Sequence, residues 1–370
     1  MSTSIYINPP SWLESPNNTE EYLVLDENAT MQDVNLFSLG LFIYNDIPFS
    51  EDSKISIQNL YRNLSDPDGV VYAEGCMVMI FQELLREMPR TSIMMDIDAV
   101  FDGKTSIGAS KIGGKPDLPL DFEWPYYKGE HFDGSGISNR PLSFIAQINC
   151  EDASKYDGDT LLPKEGVLYF FYELASSRWG FDPNDKGCAK VYYYAGDMLK
   201  LIRTELPEDL LTVPYNFHVP EAPISFSATK ELPCFEEFIQ LCGEDISYDH
   251  WDEYDNAKAE LGYKIDETDN FGKSKLLGYA DLVQGGMLLE CELSYKGIYC
   301  GGAEIKIAEE EMRQYKKNCN QWKLLFQLGS LNIGDYELMW GDMGRIYYYI
   351  KIDDLKKLDF ENCWLVLQCG

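Results

Sequence analysis

Ser110-Lys-Ile-Gly-Gly-Lys-Pro-Asp-Leu118 and Ser274-Lys-Leu-Leu-Gly-Tyr-Ala-Asp-Leu282 share Ser, Lys, the second Gly, Asp and Leu at an offset of 164 residues. Two further pairs follow in the same order. Leu142-Ser-Phe-Ile-Ala-Gln147-Ile148 answers Leu324-Leu-Phe-Gln327-Leu328 with the glutamines 180 apart, and Gly166-Val-Leu-Tyr-Phe-Phe171 answers Gly344-Arg-Ile-Tyr-Tyr-Tyr349 at 178. Chance supplies one such block; three in one order point to an internal duplication. Each copy reads as a Gly turn, an aromatic-rich strand ending in Gln and a second aromatic strand. The extra spacing in the second copy is about the length of a helix over Ala308–Cys319. Two such copies can bury their sheets against each other.

Outward from these blocks the strand signals continue. Lys190–Ala195 and Trp364–Cys369 combine β-branched and aromatic residues between turn signals. Cys234–Cys242 and His250–Leu261 read as acidic helices, the second with Asp249 as N-cap, and Asp353 is placed to cap a short helix through Leu358. The first hundred residues differ: four basic residues against sixteen acids, a strand signal at Leu36–Tyr44, and helical spacing at Ser53–Leu64 and Cys76–Met88 around an Asp66–Gly69 turn. The second helix should stop before Pro89. The fold expected is α+β: a duplicated, mostly antiparallel β core with peripheral helices, preceded by a small N-terminal α/β unit. The unit spans residues 1–102. A domain of residues 103–370 follows, with repeats over about 106–200 and 270–370 and an acidic helical insertion at about 233–264.

The same blocks carry a family resemblance. Lys111–Pro119 with Trp124-Pro125, Leu142–Asn149, Leu161–Phe171, Leu277–Asp281, Leu325–Ser330 and Leu338–Gly344 together resemble the YwqG-like bacterial family, a domain of unknown function, over about residues 106–370. The resemblance implies a compact α+β fold and brings no catalytic residue with it. It also implies the company of bacterial toxin–immunity loci.

Charge restricts the partners. With 31 Lys+Arg against 62 Asp+Glu the chain carries a formal net charge of −31. That argues against nucleic acid and anionic membranes and favours a basic protein, such as a toxin or effector. Of the excess, −12 lies in the first hundred residues and −10 in Glu236–Asp269. The latter interleaves aromatics with its carboxylates, so Glu236, Glu237, Asp249, Trp251, Asp252, Glu253 and Tyr254 form a candidate protein-binding face. Aromatic anchors would supply affinity and the acidic field the association rate. The competing reading is two amphipathic helices with aromatics inward and carboxylates solvated. No basic and apolar leader is evident at Met1–Trp12 and no apolar run approaches the roughly 20 residues a membrane span needs, so a cytoplasmic protein is expected. Ten irregularly spaced cysteines without Cys-x-x-Cys read as reduced thiols. The three histidines lie far apart, and neither a metal nor another cofactor is expected.

No nucleophile signature or paired-carboxylate motif stands out, so the first reading is a non-enzymatic acidic binding protein, of immunity type. The second is a ligand-binding protein or enzyme with a cleft between the repeats, lined by Trp124, Gln147, Gln327, Trp340 and Asp342. Each of these has a structural alternative. The glutamines can satisfy backbone groups at a seam between sheets. Trp340-Gly-Asp-Met-Gly344 can be a hairpin turn in which Asp342 bonds its own backbone and Gly344 takes positive φ. Gly113-Gly114-Lys115-Pro116 lacks phosphate-loop spacing and reads as an ordered strap. Trp179–Asp185 reads as a solvated turn.

Overall fold

The computed structural model describes residues 5–7, 23–25 and 76–370, apart from 132–133, 212–217, 243–245, 247, 264–270 and 303–304. The chain divides into two compact units, one of residues 1–89 with 242–267 and one of 90–241 with 268–370. The strand at Leu36–Tyr44, the helix at Ser53–Leu64 and the turn at Asp66–Gly69 lie outside the described residues.

The larger unit is built on one ten-stranded sheet. Its strands are β1 (Arg90–Ile97), β2 (Lys111–Ile112), β3 (Ser143–Asn149), β4 (Val167–Tyr172), β5 (Ala189–Tyr194), β6 (Ala222–Glu231), β7 (Lys275–Leu277), β8 (Trp322–Gly329), β9 (Arg345–Lys351) and β10 (Trp364–Gln368). They lie in the order β5-β4-β3-β2-β6-β1-β7-β8-β9-β10, and every neighbouring pair is antiparallel. The order is a palindrome of two halves, β2–β5 and β7–β10, about the central pair β6 and β1. Both halves bulge at matching places, between Phe144 and Ala146 in β3 and between Leu324 and Phe326 in β8. The fold is α+β.

The central pair is exchanged between the halves. β1 precedes the first set of strands in sequence but pairs with β7 of the second; β6 precedes the second set but pairs with β2 of the first. The registers agree: Lys111 faces Pro223, and its counterpart Lys275 faces Met94. The Ile224 amide donates to Ser110 O at 3.1 Å, and the Met95 amide to Ser274 O at 3.0 Å. The larger unit begins at Arg90, and β1 and β6 take equivalent places beside the two sets of repeated strands.

Aromatic strands pack the sheet on itself. Phe170 of β4 stacks on Phe326 of β8 with ring centroids 4.3 Å apart, and Tyr348 of β9 meets Phe170 edge-on at 5.3 Å. The Tyr348 hydroxyl donates to Phe171 O at 3.0 Å. Strands far apart in sheet order thus face each other, and the sheet curls towards a barrel. Burying a ring such as Phe170 stabilises by roughly 1.5–3 kcal/mol, to which favourable ring geometry adds. The segment after β4 covers the outer edge of β10: the Leu367 amide donates to Trp179 O at 2.9 Å and Trp364 Nε1 to Gly180 O at 2.8 Å. Gly180 (φ +93°) is required there, since a Cβ would lie 2.0 Å from Leu365 O. Covering an edge removes a site of unwanted strand pairing.

The helices include α1 (Cys76–Arg86), α2 (Phe235–Cys242), α3 (Trp251–Glu260), α4 (Leu288–Tyr295), α5 (Glu309–Asn318) and α6 (Ile352–Lys356). In the smaller unit, Phe81 of α1 meets Tyr254 of α3 edge-to-face at 5.4 Å, and strands at Ile5–Ile7 and Leu23–Leu25 pair antiparallel. α1 ends before Pro89, as its pattern requires. Two expected caps are corrected. His250, not Asp249, is the N-cap of α3, and Lys351, not Asp353, is that of α6, neither using its side chain. Among the described residues no helix is long and apolar enough to cross a membrane.

Candidate functional site

The repeated motifs build the same buried network twice. In the first half the Gln147 amide faces Asp117: Oε1 accepts the Asp117 amide at 2.8 Å, while Nε2 donates to Asp117 Oδ2 at 2.7 Å and to Ala109 O at 2.8 Å. In the second, Gln327 Oε1 accepts the Asp281 amide at 2.9 Å, while Nε2 donates to Asp281 Oδ2 at 2.8 Å and Lys273 O at 2.9 Å. Tyr169 and Tyr347 each donate a hydroxyl at 2.6 Å to the carbonyl of that aspartate. Ser110 Oγ and Ser274 Oγ accept the amides of Asn149 and Gly329.

A buried lysine completes each network. Lys111 Nζ reaches Lys115 O at 2.6 Å and Glu221 at 2.9 Å. Lys275 Nζ lies 3.0 Å from both Glu231 oxygens and 2.8 Å from Asp281 Oδ2. An outer cation closes the ring, Arg203 on Asp117 at 2.6 Å and Lys273 on Asp281 at 2.7 Å. Burial alone would raise the Asp281 pKa, but Lys275 and Lys273 outweigh it and hold it at about 2. Burial pulls Lys111 down, its carboxylate partners compensating only in part. For Lys275 the same cost of burial is overcome by Glu231 and Asp281, and its pKa is raised. The paired side chains are spent on one another and on backbone groups, so these networks hold the Gly turns to the strands.

The halves diverge at the strand entrances. The 180-residue offset of the glutamines sets Ser143, at the start of β3, opposite Lys323 in β8. The 178-residue offset sets Glu173 opposite Lys351. In an all-antiparallel sheet, strands five places apart run in opposite directions, so the two entrances lie at opposite ends. The first is a cavity of about 110 Å³ lined by Arg140, Ser143, Glu173, Asp209 and Leu210, among others. Its charges are paired, Arg140 Nε to Glu173 at 3.1 Å, and the other Glu173 oxygen accepts the Ser176 amide.

At the second entrance Lys323 is half-buried. Burial pulls its pKa down to about 8, with the charges of Arg90 and Lys356 acting in the same direction. Arg90 lies over the Tyr279 ring, 4.0 Å from its centroid. Nearby Glu237 is buried, its carboxylate accepting the Ala280 amide at 3.1 Å. Burial pushes it up to about 7, against the pull of Arg90.

Residues 110–369 match the family model for the Domain of unknown function, DUF1963. The chain belongs to that family. No curated protein matches it. The DUF1963 match begins downstream of β1, which the sheet nevertheless holds at its centre between β6 and β7.

Within this DUF1963 domain the five residues expected to line a cleft sit in separate local structures. The Gln147 and Gln327 amides are occupied as described. Trp124 turns its edge to Phe171 and donates Nε1 to Leu142 O at 2.9 Å. Trp340 is buried against Tyr172 and donates Nε1 to Gly329 O at 3.1 Å. Asp342 lies on an exposed turn whose carbonyl accepts the Gly370 amide. Positive φ falls on Gly341 and Met343 rather than on Gly344. Gly344 is instead pressed between Gln368 O and Trp340 O.

The acidic face is divided as well. Glu236 and Glu237 belong to the larger unit, and Asp249, Trp251, Asp252, Glu253 and Tyr254 to the smaller. Glu237 and Tyr254 are buried, so neither stands on a solvated face. Asp249, Trp251 and Asp252 are exposed and Glu253 half-buried. Trp251 Nε1 bonds Asp255 at 3.0 Å. Asp185 is corrected too: it is buried, accepts the Gly180 amide at 3.0 Å and lies 3.8 Å from Arg178. Sequence reading overlooked Arg90 and Lys323. The one signal available was the block offset, which sets a lysine where the first copy has serine.

Proposed function

We propose that this DUF1963 protein is a non-enzymatic acidic binding protein whose partner is a basic protein, the immunity-type role that the YwqG-like resemblance implies for a cytoplasmic chain. The supporting observation is how the larger unit spends its cations. Lys111, Arg140, Arg178, Arg203, Lys273, Lys275 and Lys351 pair with Glu221, Glu173, Asp185, Asp117, Asp281, Glu231 and Glu292, and each of these side chains is less than a quarter exposed. Removing those seven pairs leaves 24 cations against 55 anions for everything else. The field presented to a partner is thus more one-sided than the composition. Such a field accelerates and orients a cationic partner.

The test uses the full chain, immobilised, to recover its partner from the source cells, followed by association kinetics with the purified partner across a salt series. Association should slow steeply with salt while dissociation changes little. A chain carrying Asp252→Lys and Glu253→Lys should associate more slowly. Association indifferent to salt would overturn the proposal. The alternative of a cleft between the repeats loses support, since its expected lining is engaged in separate structural contacts.

A further inference from the structure

The two entrances differ in what fills them. The repeat offset sets Ser143 where the second copy has Lys323, half-buried at the matching place in β8. The second copy thus carries its own ammonium group there, on a flexible aliphatic stem. The first is truncated to a hydroxymethyl group and holds a cavity of about 110 Å³. Ser143 lines that cavity and is 2 % exposed, yet its hydroxyl makes no hydrogen bond with any described residue. A buried hydroxyl ordinarily has a partner, so this one is open to a ligand.

The rest of the lining decides which ligand fits. Arg140 is spent: Nε donates to Glu173 at 3.1 Å, Nη1 to Gly129 O and Ser138 Oγ, both at 3.1 Å, and Nη2 to Glu130 O at 3.3 Å. Glu173, 1 % exposed, follows Tyr172, which faces Ser143 across β3–β4. One Glu173 oxygen accepts Arg140 and the other accepts Ser176, which leaves the first a further lone pair. The remaining charged residue of the lining is Asp209, exposed on the helical turn Glu208–Leu211 and within 3.5 Å of the Tyr126 hydroxyl. The lining therefore carries one more carboxylate than cations. Its walls are apolar at Pro141, Leu174, Ala175 and Leu210. Free acceptors, apolar walls and a surplus negative charge match an amphipathic cation and disfavour an anion. A cavity of roughly 150 Å³ takes a benzene ring, so this one has room for a short unbranched chain.

We propose that this cavity is a binding pocket for a primary alkylammonium group. The head donates to Ser143 Oγ and the Glu173 carboxylate, the stem lies along Leu174, Ala175 and Leu210, and Asp209 at the mouth draws the charge in. The second half is closed to this chemistry because it already holds Lys323 at the matching place. A lysine side chain of a basic protein and a free aliphatic diamine present the same group. The first source rests on the partner reading above; the second does not.

The experiment is saturation-transfer NMR on the full chain with butylamine, butanol and butyrate, which share a stem and differ in the head, at fixed ionic strength. It is run on the wild type, Asp209→Asn and Ser143→Lys. Asp209 is exposed, so its replacement leaves the fold intact. Ser143→Lys installs the residue of the second copy and fills the pocket from within. Butylamine should bind the wild type, with butanol and butyrate weaker by roughly tenfold or more. Asp209→Asn should weaken butylamine severalfold, and Ser143→Lys should abolish its binding. Of Nα-acetyl-lysine methylamide and cadaverine, the tighter binder names the source. Equal binding of the three heads, undiminished butylamine binding by either variant, or no binding by any amine overturns the pocket. Pocket and partner reading fail separately. Amines that bind while the immobilised chain recovers no basic protein sustain the pocket and count against the partner. A basic partner that binds Ser143→Lys as tightly as wild type sustains that reading and removes its lysine from this pocket.

Discussion

Gln147 and Gln327 make the same three hydrogen bonds 180 residues apart, each clamping the main-chain amide and the carboxylate of one aspartate while holding a carbonyl two residues before the buried lysine. Their spacing was visible as a repeat. Their role follows from the aspartates they hold, Asp117 and Asp281, which lie 164 residues apart in the matching turns. Replacing Gln327 by Leu keeps the volume but strands the Asp281 amide, part of its carboxylate and the Lys273 carbonyl. We expect Gln327→Leu and Gln147→Leu each to cost about 3 kcal/mol in urea unfolding. Losses well under about 1 kcal/mol would mean that water substitutes for the amide.

Asp281 makes the stability of the second network pH-dependent. Its folded pKa of about 2 lies below the ordinary 3.8, so its contribution is present above pH 4 and is lost as pH falls through 2. The difference corresponds to about 2 kcal/mol. Asp281→Asn should be less stable than wild type at neutral pH and should lose correspondingly less between pH 4 and pH 2. Parallel acid limbs for the two proteins, followed by tryptophan fluorescence, would show that Asp281 is not held by Lys275 and Lys273.

Glu237 acts in the opposite sense. Burial raises its pKa from 4.5 to about 7, so its contribution is fully present below pH 4.5 and is lost as pH rises through 7. Glu237→Gln retains an acceptor for the Ala280 amide and cannot ionise. Its stability relative to wild type should therefore climb by about 3 kcal/mol between pH 4.5 and pH 8. Urea midpoints at these two pH values measure the change. A relative stability constant with pH would place Glu237 in a far more polar setting than its burial describes.

The parts of the fold legible in the sequence were those whose packing leaves a pattern. β4 is wholly apolar-aromatic, and β9 is so between Arg345 and Lys351, because both faces are covered, and they were found, with their partners β3 and β8, from composition alone. β1 and β6 at the sheet centre were not. Arg90-Thr-Ser-Ile-Met-Met-Asp-Ile97 and Ala222–Glu231 mix polar and apolar residues, and much of β6 is exposed. Their place is set by exchange between distant repeats, a relationship that no local window contains. The same holds for the site. Lys111 and Lys275 are ordinary basic residues until the fold brings Glu221 and Glu231 to them, whereas the glutamines and tryptophans that stood out as motifs are consumed in building the turns.

Leu277 shows how the copies diverged under one backbone constraint. It takes φ +58°, and the matching residue of the first half, Gly113, takes φ +55°; the next residues, Gly278 and Gly114, take +72° and +68°. A left-handed conformation costs a leucine roughly 1–2 kcal/mol, which glycine avoids. Leu277 is 1 % exposed, however, and belongs to the main apolar core, so its side chain returns more than the strain removes. Leu277→Gly should therefore destabilise by about 1–3 kcal/mol despite relieving the backbone. The reverse change is more severe. A Cβ at Gly113 would lie 2.3 Å from both Val219 O and Pro220 O, where only main-chain movement makes room. Gly113→Ala should cost more than Leu277→Gly, and its effect should spread to the Gly114 amide, which donates to Val219 O at 2.8 Å. Urea unfolding orders the two, and hydrogen exchange at Gly114 reports the displacement. If Leu277→Gly proves stabilising, strain outweighs burial at that turn and the leucine is not the core residue its exposure indicates.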